Sequence, residues 1–390
     1  MLDFEFYTPT KVFFGKDKQK DIGKIIKDYG FKKIMLQYGK GSIKKTGLYD
    51  EIISSLSEYD IDVVEIGGVE PNPKIEFVRK AVKLAKETGV ELVLAVGGGS
   101  VIDAAKYTAL GAKANCDVWD FVSGKEKPIA ALPTACVLTI AAAGSEMSGS
   151  AVVSDLSLNM KRGFTHEFNR PLFSICNPEL TYTVSSYQTA CGITDIMAHT
   201  IERYFTPCDP TDLTDRVAEG ILKSVINSAK VVMKDPYNYE ARANIMWASS
   251  LSHNNLTGCG RINALPVHQL EHALSGEYDS VAHGAGLAVL FPAWAKYVYM
   301  HDISRFAQFA RRVWDVNELN DKKAAEQGIK AMADFFKSIG MPSTLSEFGV
   351  KENSLDRLAD LCTFGKTRTI NSTIDLGFNE IKDIFNICFN

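Results

Sequence analysis

Residues 194 to 204 read TDIMAHTIERY, which sets Asp195 and His199 four positions apart among Ile196, Met197, Ala198 and Ile201, the side chains of an ordinary buried helix. Helical positions four apart share a face, with β-carbons about 6 Å apart, so a carboxylate and an imidazole there can reach one ion. The spacing returns in PVHQLEHALSGEYDSVAHGAG, where His268 and His272 are four apart and His283 follows a polar loop. Four of the chain's seven histidines fall in these two segments. A core histidine paired with an aspartate accounts for either helix alone. It does not account for both, because burying several polar groups is costly unless something engages them. A divalent metal does so, and imidazoles with one carboxylate and no thiolate suit iron, zinc, nickel or manganese. Five residues are on offer where a metal site takes about three or four protein ligands, which leaves one histidine for proton work.

A second chemistry is written in glycine. VGGGSVIDAAK, from Val96 to Lys106, follows an apolar run. Its glycines let the backbone approach a ligand, and a helix starting near Ser100 aims free amides and a positive dipole end at it, as a pyrophosphate requires. Ser100 and Asp103 also match a helix-capping pattern, and the two readings are compatible. The dinucleotide fingerprint G-x-G-x-x-G is absent. YGKGSIKKTG, from Tyr38 to Gly47, is a second such turn at the end of an earlier apolar run. Its Gly39, Lys40, Gly41 and Ser42 carry donors and positive charge and no carboxylate, which favours the 2′-phosphate of NADP(H) over the ribose hydroxyl of NAD; the bland reading is a solvated lysine face. LTIAAAGSEMSGS, from Leu138 to Ser150, offers small side chains to a flat ring and the hydroxyls of Thr139, Ser145 and Ser148 to amide or phosphate groups.

These residues need elements to hold them. KKIMLQY, IDVVEIG and ELVLAV read as strands, with helices around GLYDEIISSLSEY and IEFVRKAVKLAKETG between them. Strand and helix alternating at this spacing means right-handed crossovers and a parallel sheet. From about Tyr182 the periodicity turns helical, in stretches such as RVAEGILKSVINSAKVVM and GLAVLFPAWAKYVYM. The expected fold is α/β: a Rossmann-like nucleotide domain over residues 1–181, then an all-helical metal-binding and catalytic domain over 182–390, with the break at NPELTYTVSS.

Composition narrows the function. With 43 basic and 47 acidic residues the net charge is −4, which lacks the field that nonspecific nucleic-acid binding needs. The eight cysteines form no C-x-x-C pair, which argues against a thiolate metal site and for reduced thiols in a cytoplasm. The N-terminal MLDFEFYTPTKVFFGKD does not read as a secretory signal, and no run is long enough to span a membrane. A small-molecule partner is expected, with no nucleic acid and no membrane. A metal that polarises a C–O bond beside a nicotinamide that takes or gives hydride interconverts alcohol and aldehyde.

With those motifs in hand, the sequence resembles the iron-activated alcohol dehydrogenase family, in its NADPH-dependent butanol dehydrogenase and aldehyde reductase branch. The resemblance runs from FYTPTKVFFGK through GGVEPNPKIEFVRKAV, LAVGGGSVIDAAK and GSEMSGSAVVSD to both histidine segments. It implies a metal, iron first, in the cleft between the two domains, held by Asp195, His199, His268 and His283, with His272 at the reacting carbon and hydroxyl as proton relay or positioning group. It implies that Gly98, Gly99, Ser100 and Asp103 form the pyrophosphate turn, that Asn72, Thr139, Ser148 and Lys161 make further cofactor contacts, and that Gly39, Lys40, Gly41 and Ser42 hold the 2′-phosphate. One departure lies at Ala142 and Ala143, where many relatives carry Gly-Thr. The implied activity is reduction of short to medium straight-chain aldehydes to primary alcohols, and helical surfaces rich in Leu, Phe and Trp point to a homo-oligomer, a dimer first. The alternatives are a lyase resembling dehydroquinate synthase, which needs Arg and Lys clusters that these segments lack, and a non-catalytic nucleotide- and metal-binding protein.

Overall fold

Aliphatic and β-branched runs become parallel strands wherever a helix separates them. In the first unit of the chain, Tyr7–Val184, the order is β1 (Lys11–Phe14), α1 (Ile22–Asp28), β2 (Lys33–Gly39), α2 (Ser42–Lys45), α3 (Leu48–Glu58), β3 (Asp62–Val69), α4 (Ile75–Thr88), β4 (Leu92–Gly97), α5 (Gly99–Ala112), α6 (Val118–Ser123), β5 (Thr134–Leu138), β6 (Ser150–Asp155), β7 (Met160–Thr165) and β8 (Phe173–Cys176). Described in this computed structural model are residues 1–158, 160–206, 208 and 211–389. Six strands pair in parallel in the order β1-β8-β5-β4-β2-β3, and β6 and β7 form a separate antiparallel hairpin. β4 and β5 are buried at every position, as strands covered on both faces are. Their aliphatic side chains join Ile22, Ile26, Leu36, Ile52 and Leu56 in the core.

The topology fixes where a ligand goes. From β2 the chain steps outward to β3, then returns to the other side of β2 to lay down β4 and continues the opposite way to β5. The carboxyl ends of β2 and β4 therefore flank the switch point of the sheet, the crevice where such folds bind ligands. Two sequence expectations shift. The apparent strand PIAALPTACVL is regular only from Thr134, because Pro128 and Pro133 have no amide to give the ladder. The β6–β7 hairpin was not read from the sequence, since its apolar run is short and flanked by serines.

The second unit, Met1–Phe6 with Ser185–Asn390, is helical: α7 (Ser186–Tyr204), α8 (Asp212–Val232), α9 (Tyr239–His253), α10 (Pro266–Glu277), α11 (His283–Val298), α12 (Ile303–Val313), α13 (Asp321–Ser338), α14 (Leu355–Cys362) and α15 (Phe378–Ile387). Ser185 caps α7 by accepting the Gln188 amide, and Pro266 opens α10 at a position where no amide is needed. Every residue of α7 from Thr189 to Tyr204 is buried, the mark of a helix enclosed by others. Gly284 lets α11 lie against it: a β-carbon there would sit 2.1 Å from the Cys191 carbonyl oxygen. Among the described residues no helix is long and apolar enough to cross a membrane.

Candidate functional site

Helix α7 carries Asp195 and His199 on one face, and α10 and the start of α11 bring His268 and His283 to it. Asp195 Oδ1 is the hub, 2.9 Å from His199 Nδ1, 3.4 Å from His268 Nε2 and 3.8 Å from His283 Nε2. Donor atoms around a tetrahedral ion with bonds of about 2.0–2.1 Å stand roughly 3.4 Å apart, so the spacing and the mixed N and O donors fit a divalent first-row metal. His272 joins from the side, its ring 5.7 Å from that of His283 and 6.5 Å from that of His268. Asp195, His199 and His268 are buried, while His283 and His272 are half-buried, so the cluster opens on the side of those two. The five residues singled out in the sequence lie in two adjoining groups, Asp195 with His199 and His268, and His272 with His283 and Glu271, linked by the contact of His283 Nε2 with Asp195 Oδ1.

The electrostatics follow from burial. Desolvation drives His199 down to about 4, helped by its neighbour His268. Desolvation acts on His268 in the same sense but is outweighed by Glu202 and Asp195, which raise it to about 9. For Asp195, too, burial opposes the outcome, yet His199 and His283 hold its carboxyl well below the usual carboxylate range.

Four neighbours of the cluster escaped the sequence reading. Glu202 and Glu271, both fully enclosed, touch His268 Nδ1 and His283 Nδ1 respectively. Arg203 sits behind His199, donating to its carbonyl oxygen at 2.8 Å and meeting His253 Nδ1 at 2.7 Å, and burial lowers its guanidinium to about 10. The His253 ring lies 4.1 Å from that of His199. The signal for the two glutamates was present, since each lies inside a histidine segment. A charged residue on a helix is ordinarily solvated, and only packing shows that these are not.

In the nucleotide unit, the two glycine turns sit side by side at the switch point. β2 and β4 are neighbours, with Tyr38 opposite Val96, and a β-carbon on Gly39 would lie 4.0 Å from Val101 Cγ2. Gly41 takes φ +124° to start α2, a conformation that favours glycine, and Gly98 precedes α5 against Ile140. Ser100 stands in the first turn of α5, next to Gly99. Asn72 adopts φ +50° between two prolines, and Thr139 is tied to β4 through its amide, 3.1 Å from the Gly97 carbonyl oxygen.

Asp103 and Ser148 face inward. Asp103 accepts from the Ser145 hydroxyl at 2.6 Å and the Val152 amide at 2.9 Å, and the Ser148 hydroxyl accepts the Ser150 amide at 2.8 Å. Beside them Lys106 donates to Ser145 Oγ at 2.8 Å, Ser148 O at 3.0 Å and Ser150 O at 2.7 Å. Burial raises Asp103 and pushes Lys106 down to about 8, the mutual attraction of the two charges opposing both shifts. This group pins the segment from Ser145 to Val152 onto α5. Lys161 is buried on β7 opposite Ser154. Lys40 pairs with Glu70 at 2.6 Å, so a carboxylate from beyond β3 stands at a turn that has none of its own.

Known proteins resemble the chain over nearly its whole length. The family model for iron-containing alcohol dehydrogenase matches residues 9–178, and that for the C-terminal part of the Fe-containing alcohol dehydrogenase family matches residues 189–387. NADH-dependent butanol dehydrogenase A of Clostridium acetobutylicum is 41% identical over 387 residues, with 99% of each chain covered. NADPH-dependent aldehyde reductase YqhD of Escherichia coli is 36% identical, with 92% of each covered. The crystal structure of NADH-dependent butanol dehydrogenase A from Thermotoga maritima superposes with a TM-score of 0.97 at 36% identity, covering 100% of this chain and 99% of that one.

Proposed function

The chain belongs to the iron-containing alcohol dehydrogenase family, and from that premise we propose that it reduces short to medium straight-chain aldehydes to primary alcohols with NADPH at a divalent metal, iron first. The cluster centred on Asp195 Oδ1 carries this reading, because three imidazoles and a carboxylate converge there on one point. Asp195, His199, His268 and His283 hold the ion. When bound, the metal polarises the carbonyl and the nicotinamide supplies hydride to its carbon.

The rest falls to the chain's own side chains. His272, outside the four ligands, returns a proton to the product oxygen, a role that its half-buried position beside His283 supports. The amides at the start of α5, with Gly98, Gly99 and Ser100, receive the pyrophosphate. Asp103, Ser148 and Lys106 fix the segment from Ser145 to Val152, which follows Thr139 and the small residues after it. Asn72 and Lys161 complete the cofactor contacts, and Gly39, Lys40, Gly41 and Ser42 receive the 2′-phosphate.

One observation favours a second reading, NADH in place of NADPH. Glu70 neutralises Lys40 and can accept a ribose hydroxyl, and would repel a phosphate. The experiment is oxidation of NADPH and NADH at 340 nm with butanal, on protein stripped by chelator and reloaded with iron or zinc. Metal-restored turnover that prefers NADPH supports the first reading, and a preference for NADH supports the second. No turnover with either nucleotide under any metal sinks both. The free cysteines suit a reducing cytoplasm. A homodimer is proposed from exposed Leu213, Tyr237 and Trp247 on the helical unit, to be checked by light scattering.

A further inference from the structure

Two imidazoles of the cluster are held from behind by carboxylates. His199 Nδ1 instead contacts its own helix, 2.9 Å from Asp195 Oδ1 and 3.0 Å from the Asp195 carbonyl oxygen. His268 Nδ1 meets Glu202, a residue of α7, and His283 Nδ1 meets Glu271, a residue of α10. The histidines of α10 and α11 are therefore oriented by carboxylates on α7 and α10 respectively, and in both cases Nε2 is left facing Asp195 Oδ1. Glu202 does more than touch the ring: its other oxygen accepts the Val267 amide and, at 3.1 Å, the His268 amide at the start of α10. Room for Glu271 comes from Gly286 on α11, where a β-carbon would approach Glu271 Cγ to 3.0 Å.

A buried Nδ1–H needs one acceptor, and a neutral carbonyl can serve, so two full carboxylates are more than the hydrogen bonds require. Enclosing them is costly unless positive charge compensates. The cluster gathers three carboxylates, Asp195, Glu202 and Glu271, more negative charge than the buried Arg203 beside it offsets. A dication at the cluster supplies the missing charge, and carboxylates behind ligating imidazoles fix the ring and strengthen it as a donor.

We infer that Glu202 and Glu271 are positioning residues of the metal site, which hold His268 and His283 with Nε2 directed inward and set the affinity for the ion. This rests on the reading of the cluster as the metal site. The test is E202Q and E271Q, which keep shape and remove charge. In E202Q the Val267 and His268 amides retain the carboxamide oxygen, which turns its NH2 toward His268 Nδ1 and favours the ring form with its proton on the ligating nitrogen. Zinc affinity is measured by chelator competition, cobalt(II) by its d–d absorption bands, and folding by thermal melting of the metal-free proteins.

The expected result is a 10- to 100-fold weaker zinc affinity in each variant, shifted cobalt bands, and metal-free melting at or above that of the wild type. Variants that bind zinc as tightly as the wild type overturn the inference. So do variants whose metal-free forms melt well below the wild type, since that assigns the glutamates to packing. A wild type that binds no zinc at one ion per chain sinks the metal reading itself, a different failure that the same titration reports.

Discussion

His272 differs from its neighbours in what its removal should disturb. It stands away from the Asp195 hub but forms a second group of possible ligands with His283 and Glu271, so a role in proton transfer and a role as ligand make opposite forecasts for metal binding. His272→Ala is expected to lower kcat by about 100-fold or more while zinc affinity stays within twofold of wild type, as loss of a general acid would. A matching fall in affinity would make His272 a ligand. Lys40 poses a comparable question at the nucleotide turn, because its charge is shared with Glu70. Removing that carboxylate in Glu70→Gln frees Lys40 for a phosphate and is expected to raise the NADPH-to-NADH ratio of kcat/KM by about tenfold, or ~1.4 kcal/mol. An unchanged ratio would show that Glu70 plays no part in cofactor choice.

Among the elements, α5 carries an inward-facing pair of opposite charges, Asp103 and Lys106. Its Lys106 is enclosed and holds the segment leading into β6, and burial pushes its ammonium from 10.5 down to about 8. Below that folded value both folded and unfolded chains carry the proton, so stability gains nothing from a change of pH. Between the two values the unfolded chain binds more protons, and stability rises with pH by at most about 1.4 kcal/mol per unit. The gain is complete above 10.5 and is lost as pH falls through about 8. Urea unfolding of wild type and Lys106→Met at pH values of about 7.5 and 9.5 should therefore give a stability difference that shifts toward the wild type at the higher pH. A difference that ignores pH would show that Lys106 titrates as in water. α7 presents the opposite design, a helix buried all round whose polar residues are met by partners on α9, α10 and α11.

For the molecule as a whole, the ligands of the proposed metal all belong to the helical unit, so a metal should stabilise that unit directly. At a zinc concentration of 100 times Kd the gain is about 2.7 kcal/mol, seen in calorimetry as an upward shift of the helical unit's transition, and no shift at saturating zinc would contradict a metal site there. Alternating strand and helix periodicities already announced a parallel sheet followed by a helical unit, and the donors four apart in TDIMAHTIERY and VHQLEH announced a cluster of side chains able to bind a metal. Those features are local, written in residues a turn apart, and local spacing survives in a linear chain. The sequence left undecided which of the five donors sit deepest, that Glu202 would reach His268 from 66 positions away, that Asp103 would turn inward to Ser145, and that Lys40 would find Glu70. Packing decided these, because a buried charge takes whatever partner the fold brings to it, and separation along the chain does not limit which groups meet once helices and strands have docked.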